Sequence, residues 1–199
     1  MDDEAKELAK VGMEVAMKPF TDLVADVIGV SGGDKLHEFR EYKKAMRAEH
    51  QAAIGAQAAK LLAARKATPD TDTNPGKIEE ILEAAQDETD AGLQKLYAAL
   101  LAAVVDPSRS SLYRREFVAI VKEMEPIDAV VLKKLRDPAQ LLPTRRMYIA
   151  NETRRQEFEI QSAFDNLERL QLIGSAQSQT VHTPLLSMKG HQFLATVAD

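Results

Sequence analysis

The sequence predicts a mainly α-helical protein: an N-terminal helical hairpin, a multi-helix bundle, and a C-terminal module containing a short β-hairpin. Three observations predict it. Apolar residues recur at helical spacing through most of the chain. The apolar fraction is 45%, yet aromatics make up only 5% and Trp is absent, so Ala, Leu, Val, Ile and Met must fill the core, which suits close-packed helices. Residues compatible with β-structure gather with turn residues only after Gly174.

The elements follow in order. Residues 3–17 carry Leu8, Val11 and Val15 at helical spacing, Pro19 kinks or restarts the helix, and Phe20, Leu23, Val24, Val27 and Ile28 continue it. Ser31-Gly32-Gly33 turns the chain. Asp34 is an N-cap candidate for a long helix to about Ala67, whose sparse stripe is Leu36, Phe39, Met46, Ala53 or Ile54, Leu61 and Leu62. Its many alanines suit close packing in a hairpin over residues 1–67. The same stripe over 34–67 suits a homodimer.

Thr68 to Asn74 reads as a linker, and Asn74-Pro75 gives an N-cap followed by proline at the first helical position. That helix runs to about Asp87 with Ile78, Ile81, Leu82 and Ala85 on one side. Thr89 or Asp90 caps the next, which ends at Val105 and is apolar over most of its circumference, so it belongs at the centre of a bundle spanning 75–124. Asp106-Pro107-Ser108 breaks the chain, because a residue before proline avoids the α region. A helix over 111–124 presents Phe117, Ile120, Val121 and Met124. Pro126 starts another with Ile127, Val130, Val131 and Leu135 facing inward, and Asp128 near its positive N-terminus. Asp137-Pro138 and Pro143 make an irregular stretch. Asn151 opens a helix to about Leu172 anchored by Phe158, Phe164, Leu167 and Leu170. A hairpin and a final short strand or helix, 191–197, close a winged-helix-like module over 125–199.

Composition excludes several functions. Without Cys there are no disulfides, thiolate zinc sites or Cys nucleophiles, which fits a cytoplasmic location. The acidic start MDDEAKELAK lacks the order of a signal peptide, and the longest apolar run, Tyr97 to Val105, is about half a membrane span. Residues 1–106 carry 13 Lys/Arg against 20 Asp/Glu, whereas 107–199 carry 13 against 11. The C-terminal half is only mildly basic, far from the stripe of a dedicated nucleic-acid binder.

The run from Leu93 to Leu135 carries a resemblance. Leu93-x-x-Leu96-Tyr97-Ala98-x-Leu100-Leu101-Ala102, then Asp106-Pro107-Ser108, Phe117-Val118-x-Ile120 and Pro126-x-Asp128-Ala129-x-x-Leu132 resemble the abortive-infection alpha family of bacterial proteins. The family usually has Trp at the Tyr97 position. Asn166-Leu167-Glu168-Arg169-Leu170-x-Leu172-Ile173, with Thr183-Pro184-Leu185 and Gly190, resembles the family's C-terminal pattern. The resemblance covers roughly residues 75–197 and brings no catalytic residues with it. It implies a role in defence against bacteriophage. Each matched position also has a plain packing or capping job, so Leu96, Tyr97, Leu100, Leu101, Asp106, Pro107, Phe117, Pro126 and Asp128 are expected to be structural.

Functional candidates beyond the resemblance are few. Arg145, Arg146, Arg154, Arg155 and Arg169 lie before or on the helix that would enter a major groove, and are the nucleic-acid contact candidates. Glu152, Glu157, Glu159, Asp165 and Glu168 share that segment and would repel phosphate, so a salt-bridged solvent face is the favoured reading. The amphipathic start could lie on a membrane surface, as in a membrane-acting toxin, but its polar face carries Glu14, Asp22 and Asp26 against Lys18, which favours packing against protein. His37, His50, His182 and His191 have no metal-ligand spacing, and no phosphate loop or nucleophile elbow is present. The expectation is a non-enzymatic interaction protein without cofactor or metal. Its contacts would run along the long helix or the Leu93–Val105 helix, with a nucleic-acid-binding regulator as the alternative.

Overall fold

The computed structural model describes residues 33–70, 73–136, 145–178 and 181–198. The expected helices before Ser31 and the irregular stretch at Asp137-Pro138 and Pro143 lie outside the described residues. The described chain is mainly helical with one two-stranded antiparallel hairpin near its C-terminus, as the sequence predicts. In order come α1 (Gly33–Arg65), α2 (Pro75–Ala85), α3 (Ala91–Val105), α4 (Glu116–Lys122), α5 (Pro126–Leu135), α6 (Arg145–Thr153), α7 (Glu157–Arg169), β1 (Ile173–Ser178), β2 (Val181–Leu186) and α8 (Met188–Val197).

The chain divides into two units, Met1–Glu49 and His50–Asp199, with the boundary inside α1. In the first, the Lys43 ammonium lies 5.8 Å from the centroid of the Phe39 ring, one turn earlier on α1. The second unit carries the remaining helices and the hairpin.

Its centre is α3. Leu93 and every residue from Tyr97 to Val104 are buried, so the helix is covered on all sides. Its alanines let neighbours approach closely, and α2, α4, α5 and α8 all pack on it. Tyr97 is 1% exposed. Burial pushes its hydroxyl pKa up to about 12, with the nearby Glu88 charge adding to the rise. Leu100 and Leu101 are buried as expected, whereas Leu96 is only half-buried.

Local chemistry fixes the ends of α2 and α3. The Asn74 side chain accepts from the Gly76 N–H at 2.9 Å, with Pro75 at the first position. Asp90 accepts from the Gly92 and Leu93 N–H groups at 2.8 and 3.0 Å. At the other end of α3 the buried Asp106 turns the chain. Its Oδ1 accepts from the Ser108 N–H at 3.0 Å and the Ser108 hydroxyl at 2.6 Å, and its carbonyl accepts from Arg109 and Ser110. These turns consume the residues expected to open a helix at 111, and α4 runs only over Glu116–Lys122.

The expected helix from Asn151 to Leu172 is two helices. α6 ends where Arg154 adopts φ 54° and the Arg155 N–H bonds back to the Ala150 carbonyl at 3.0 Å. α7 then starts as the Glu159 carboxylate accepts from the Gln156 N–H at 2.8 Å. Lys66 and Gln171, at φ 54° and 61°, close α1 and α7 in the same manner, with Ala67 bonding to Leu62 and Leu172 to Leu167.

Two expected anchors face outward: Val130 is 42% and Phe158 72% exposed. Leu132 and Ile160 take the inward positions, since they lie on the faces that α5 and α7 turn to each other and to the core. The long helix opens at Gly33, one residue before the expected Asp34 cap. The final segment is helical rather than extended, because the Ser187 hydroxyl caps it at the Gly190 N–H, 2.9 Å away. β1 pairs with β2 from Ile173↔Leu186 to Ser178↔Val181, which returns the chain so that α8 docks on α3.

Candidate functional site

A cleft of about 660 Å³ opens between the N-terminal half of α3, the exposed face of α5, the α6–α7 junction and the C-terminal half of α8. Its apolar surface comes from Leu96, Ile127, Val130, Leu194 and Val197, backed by the buried Leu132 and Phe193. The outward Val130 and half-buried Leu96, which depart from the expected packing, are part of this wall. Cationic side chains surround it: Lys95 from α3, Lys133 and Arg136 from α5, and Arg155 from the start of α7. Among the described residues Asp90 is the one carboxylate lining it, and it is held by two backbone amides as the cap of α3. Arg155 shares its charge with Glu159, 3.2 Å away, whereas Lys95, Lys133 and Arg136 have no carboxylate partner among the described residues. A positively charged cleft on a chain of net charge -5 is a local inversion of sign.

The geometry separates the arginines named from the sequence. Arg145 and Arg146 open α6, and their side chains lie outside the description. Arg154 is exposed at the left-handed end of α6. Arg155 lines the cleft. Arg169 lies in a different place, a polar network that ties the α4–α5 turn to α7. It donates to Glu123 at 2.6 Å and to the Asn166 side-chain oxygen at 3.0 and 2.8 Å. The Asn166 amide donates to the Glu123 carbonyl at 3.1 Å and to Asp128 at 2.6 Å. Asp128 closes the network by accepting from the Glu125 N–H at 2.7 Å. Sequence reading placed Asp128 near a helix start but missed its partner, 38 residues away.

Burial pushes the Asp128 pKa up, and the hydrogen bonds from Glu125 and Asn166 oppose that shift. A raised acid pKa means the fold favours the protonated form. Its ionisation therefore costs stability at neutral pH, and that cost disappears as pH falls through the folded pKa. Asp128→Asn removes the titration while keeping an acceptor for both partners. The melting temperature of the wild type relative to Asp128→Asn should therefore rise as pH is lowered from 7 towards 4. Two parallel melting curves across that range would contradict this assignment.

Among the described residues, no group of three His, Asp or Glu is placed to hold a metal ion. His50 is occupied in packing, its Nδ1–H donating to the Gln86 carbonyl at 3.0 Å. No helix among them is long and apolar enough to cross a membrane. The α3 helix, a candidate contact surface in the sequence, is enclosed by its neighbours and offers its N-terminal end only as a wall of the cleft.

Comparison with known families then places the fold. The model of the family described as abortive infection alpha matches residues 49–189. The chain belongs to the abortive infection alpha family. The match begins within one residue of His50, where the second unit starts, and covers that unit as far as the start of α8. All the cleft walls except the C-terminal part of α8 fall inside it. No curated protein and no solved structure matches the chain.

Proposed function

We propose that this abortive infection alpha protein is a non-enzymatic interaction protein of phage defence, and that the cationic cleft is its working surface. The observation that carries the reading is the cleft itself: an open apolar wall beside Lys95, Lys133 and Arg136, which have no carboxylate partner among the described residues. Concave, mostly apolar sites with a few placed polar groups are the usual form of a binding site. Self-association along α1 belongs to the same reading. Ala52, Ala53, Ala56, Ala59, Ala63 and Ala64 are exposed there, and sedimentation at several concentrations tests it. The biological test is a one-step growth curve of a panel of phages on cells with and without the protein. Lower burst size for at least one phage is expected, and equal bursts across the panel would remove the defence role.

A second reading, a nucleic-acid-binding module, is favoured by the order of α5, α6, α7 and hairpin, which is that of a winged helix. Its electrostatics oppose it. Arg155 and Arg169 are paired with Glu159 and Glu123, and the exposed Glu157, Asp165 and Glu168 stand on α7. DNA binding that weakens steeply with salt and is lost in Arg154→Ala with Arg155→Ala would establish it.

A further inference from the structure

We propose that the cleft binds an aliphatic anion, a medium- or long-chain acyl carboxylate, with its headgroup on the cationic rim and its chain along the apolar wall. This rests on reading the cleft as the working surface and adds the chemistry of what enters it.

Three observations point to that class. The first is charge. Lys95, Lys133 and Arg136 bring to one opening three cations without a carboxylate partner among the described residues, against a single described carboxylate already held by backbone amides. Arg136, the C-cap of α5, stands three residues after Lys133, one turn along the same face. Gathering like charges without a counter-ion is unfavourable, and an anion bound between them relieves it.

The second is the character of the wall. Leu96, Ile127, Val130 and Leu194 are aliphatic and at least partly exposed, while the one aromatic lining residue, Phe193, is fully buried and engaged edge-on with Phe117. An alkyl chain needs only the aliphatic surface, and it removes more apolar area from water with each CH₂ it buries. The third is size: about 660 Å³ lies within the roughly 300–1,000 Å³ of small-molecule sites.

The test is isothermal titration of the full chain with sodium dodecanoate kept below its micelle concentration. Saturable one-to-one binding is expected. Lys133→Glu with Arg136→Glu should weaken it about tenfold or more, because both side chains are exposed and make no contact that the fold needs. Leu194→Trp, which narrows the cleft without changing charge, should weaken it too. Arg114→Glu, an exposed site outside the cleft, should leave it unchanged. Dodecyltrimethylammonium and acetate should not bind.

Absence of saturable binding overturns the proposal, as does equal affinity for the cationic amphiphile or indifference to charge reversal. Capture by phosphatidylglycerol vesicles without binding of monomeric dodecanoate overturns it in favour of a membrane surface. Binding of an acidic amphipathic peptide without dodecanoate overturns it in favour of a protein partner. The parent reading fails differently: its failure is a phage burst unaffected by the charge-reversed variant, whatever titration shows.

Discussion

Phe193→Ala is expected to destabilise the His50–Asp199 unit by about 3–5 kcal/mol, the usual cost of truncating a buried aromatic side chain to alanine. Phe193 is fully buried and meets the Phe117 ring edge to face, with centroids 5.3 Å apart and planes at 90°. Such a pair adds about 0.5–1.5 kcal/mol beyond the area it buries. Phe193 is also the only Phe in α8, the helix that docks on α3 and forms one wall of the cleft. At about 2–4 °C per kcal/mol for a domain of this size, the loss corresponds to a fall of roughly 6–20 °C in melting temperature. Phe193→Leu, which keeps most of the volume, should cost far less. Calorimetry on the three proteins checks the order. A Phe193→Ala variant melting within a degree or two of the wild type would mean that α8 does not pack as described.

Gly190→Ala is expected to be nearly as severe, and its sign is diagnostic. Helix propensity alone favours alanine over glycine by about 1 kcal/mol, so a freely exposed Gly190 would be stabilised by the change. Here a Cβ would stand 2.0 Å from the Leu172 carbonyl oxygen and 3.0 Å from its carbon. That carbonyl cannot move aside easily. It accepts from the Ser187 N–H at 3.0 Å, while the Ser187 hydroxyl donates to the Gln171 carbonyl at 2.6 Å. Overpacking against a pinned backbone costs at least the ordinary 1–3 kcal/mol, and the strain is relieved only by lifting the start of α8. The expected result is a melting temperature lowered by several degrees, with hydrogen exchange accelerated along α8. An increase in stability would show that the close approach does not exist.

Gly190 also illustrates what was legible in the sequence. Its place in the family pattern was readable, but the reason for it, a carbonyl 18 residues earlier in the chain, was not. Elements whose ends carry local chemistry were legible. Asn74-Pro75, Asp90 and Pro126 mark helix starts through side-chain acceptors and a fixed φ, and the apolar circumference of Ala91–Val105 marks the centre. Three helix ends were not marked, because Lys66, Arg154 and Gln171 adopt the left-handed conformation without the glycine that signals it. The long helix from Asn151 was therefore read through a stop at Arg154.

The cleft was hidden for a related reason. Periodicity assigns apolar residues to a face but does not say whether a neighbour covers it, so Val130 and Leu96 read as core while they line an opening. Lys95, Lys133 and Arg136 are unremarkable as isolated surface charges. Only the packing of α5 between α3 and α7 gathers them. The arginines named from the sequence lie before or on the helix that would enter a major groove, and the structure puts Arg155 and Arg169 in different places. Arg169 stands in the Glu123–Asp128–Asn166 network, where its contacts join α7 to the α4–α5 turn.

The central claim is that this family member limits phage through its cationic cleft. Burst size in infected cells expressing the wild type, the Lys133→Glu/Arg136→Glu variant or no protein tests it most directly, with equal levels of folded protein confirmed in the same cultures. The account predicts a reduced burst with the wild type and a burst restored to that of cells without the protein when the two cleft charges are reversed. A burst equally reduced by wild type and variant, or reduced by neither, would contradict it.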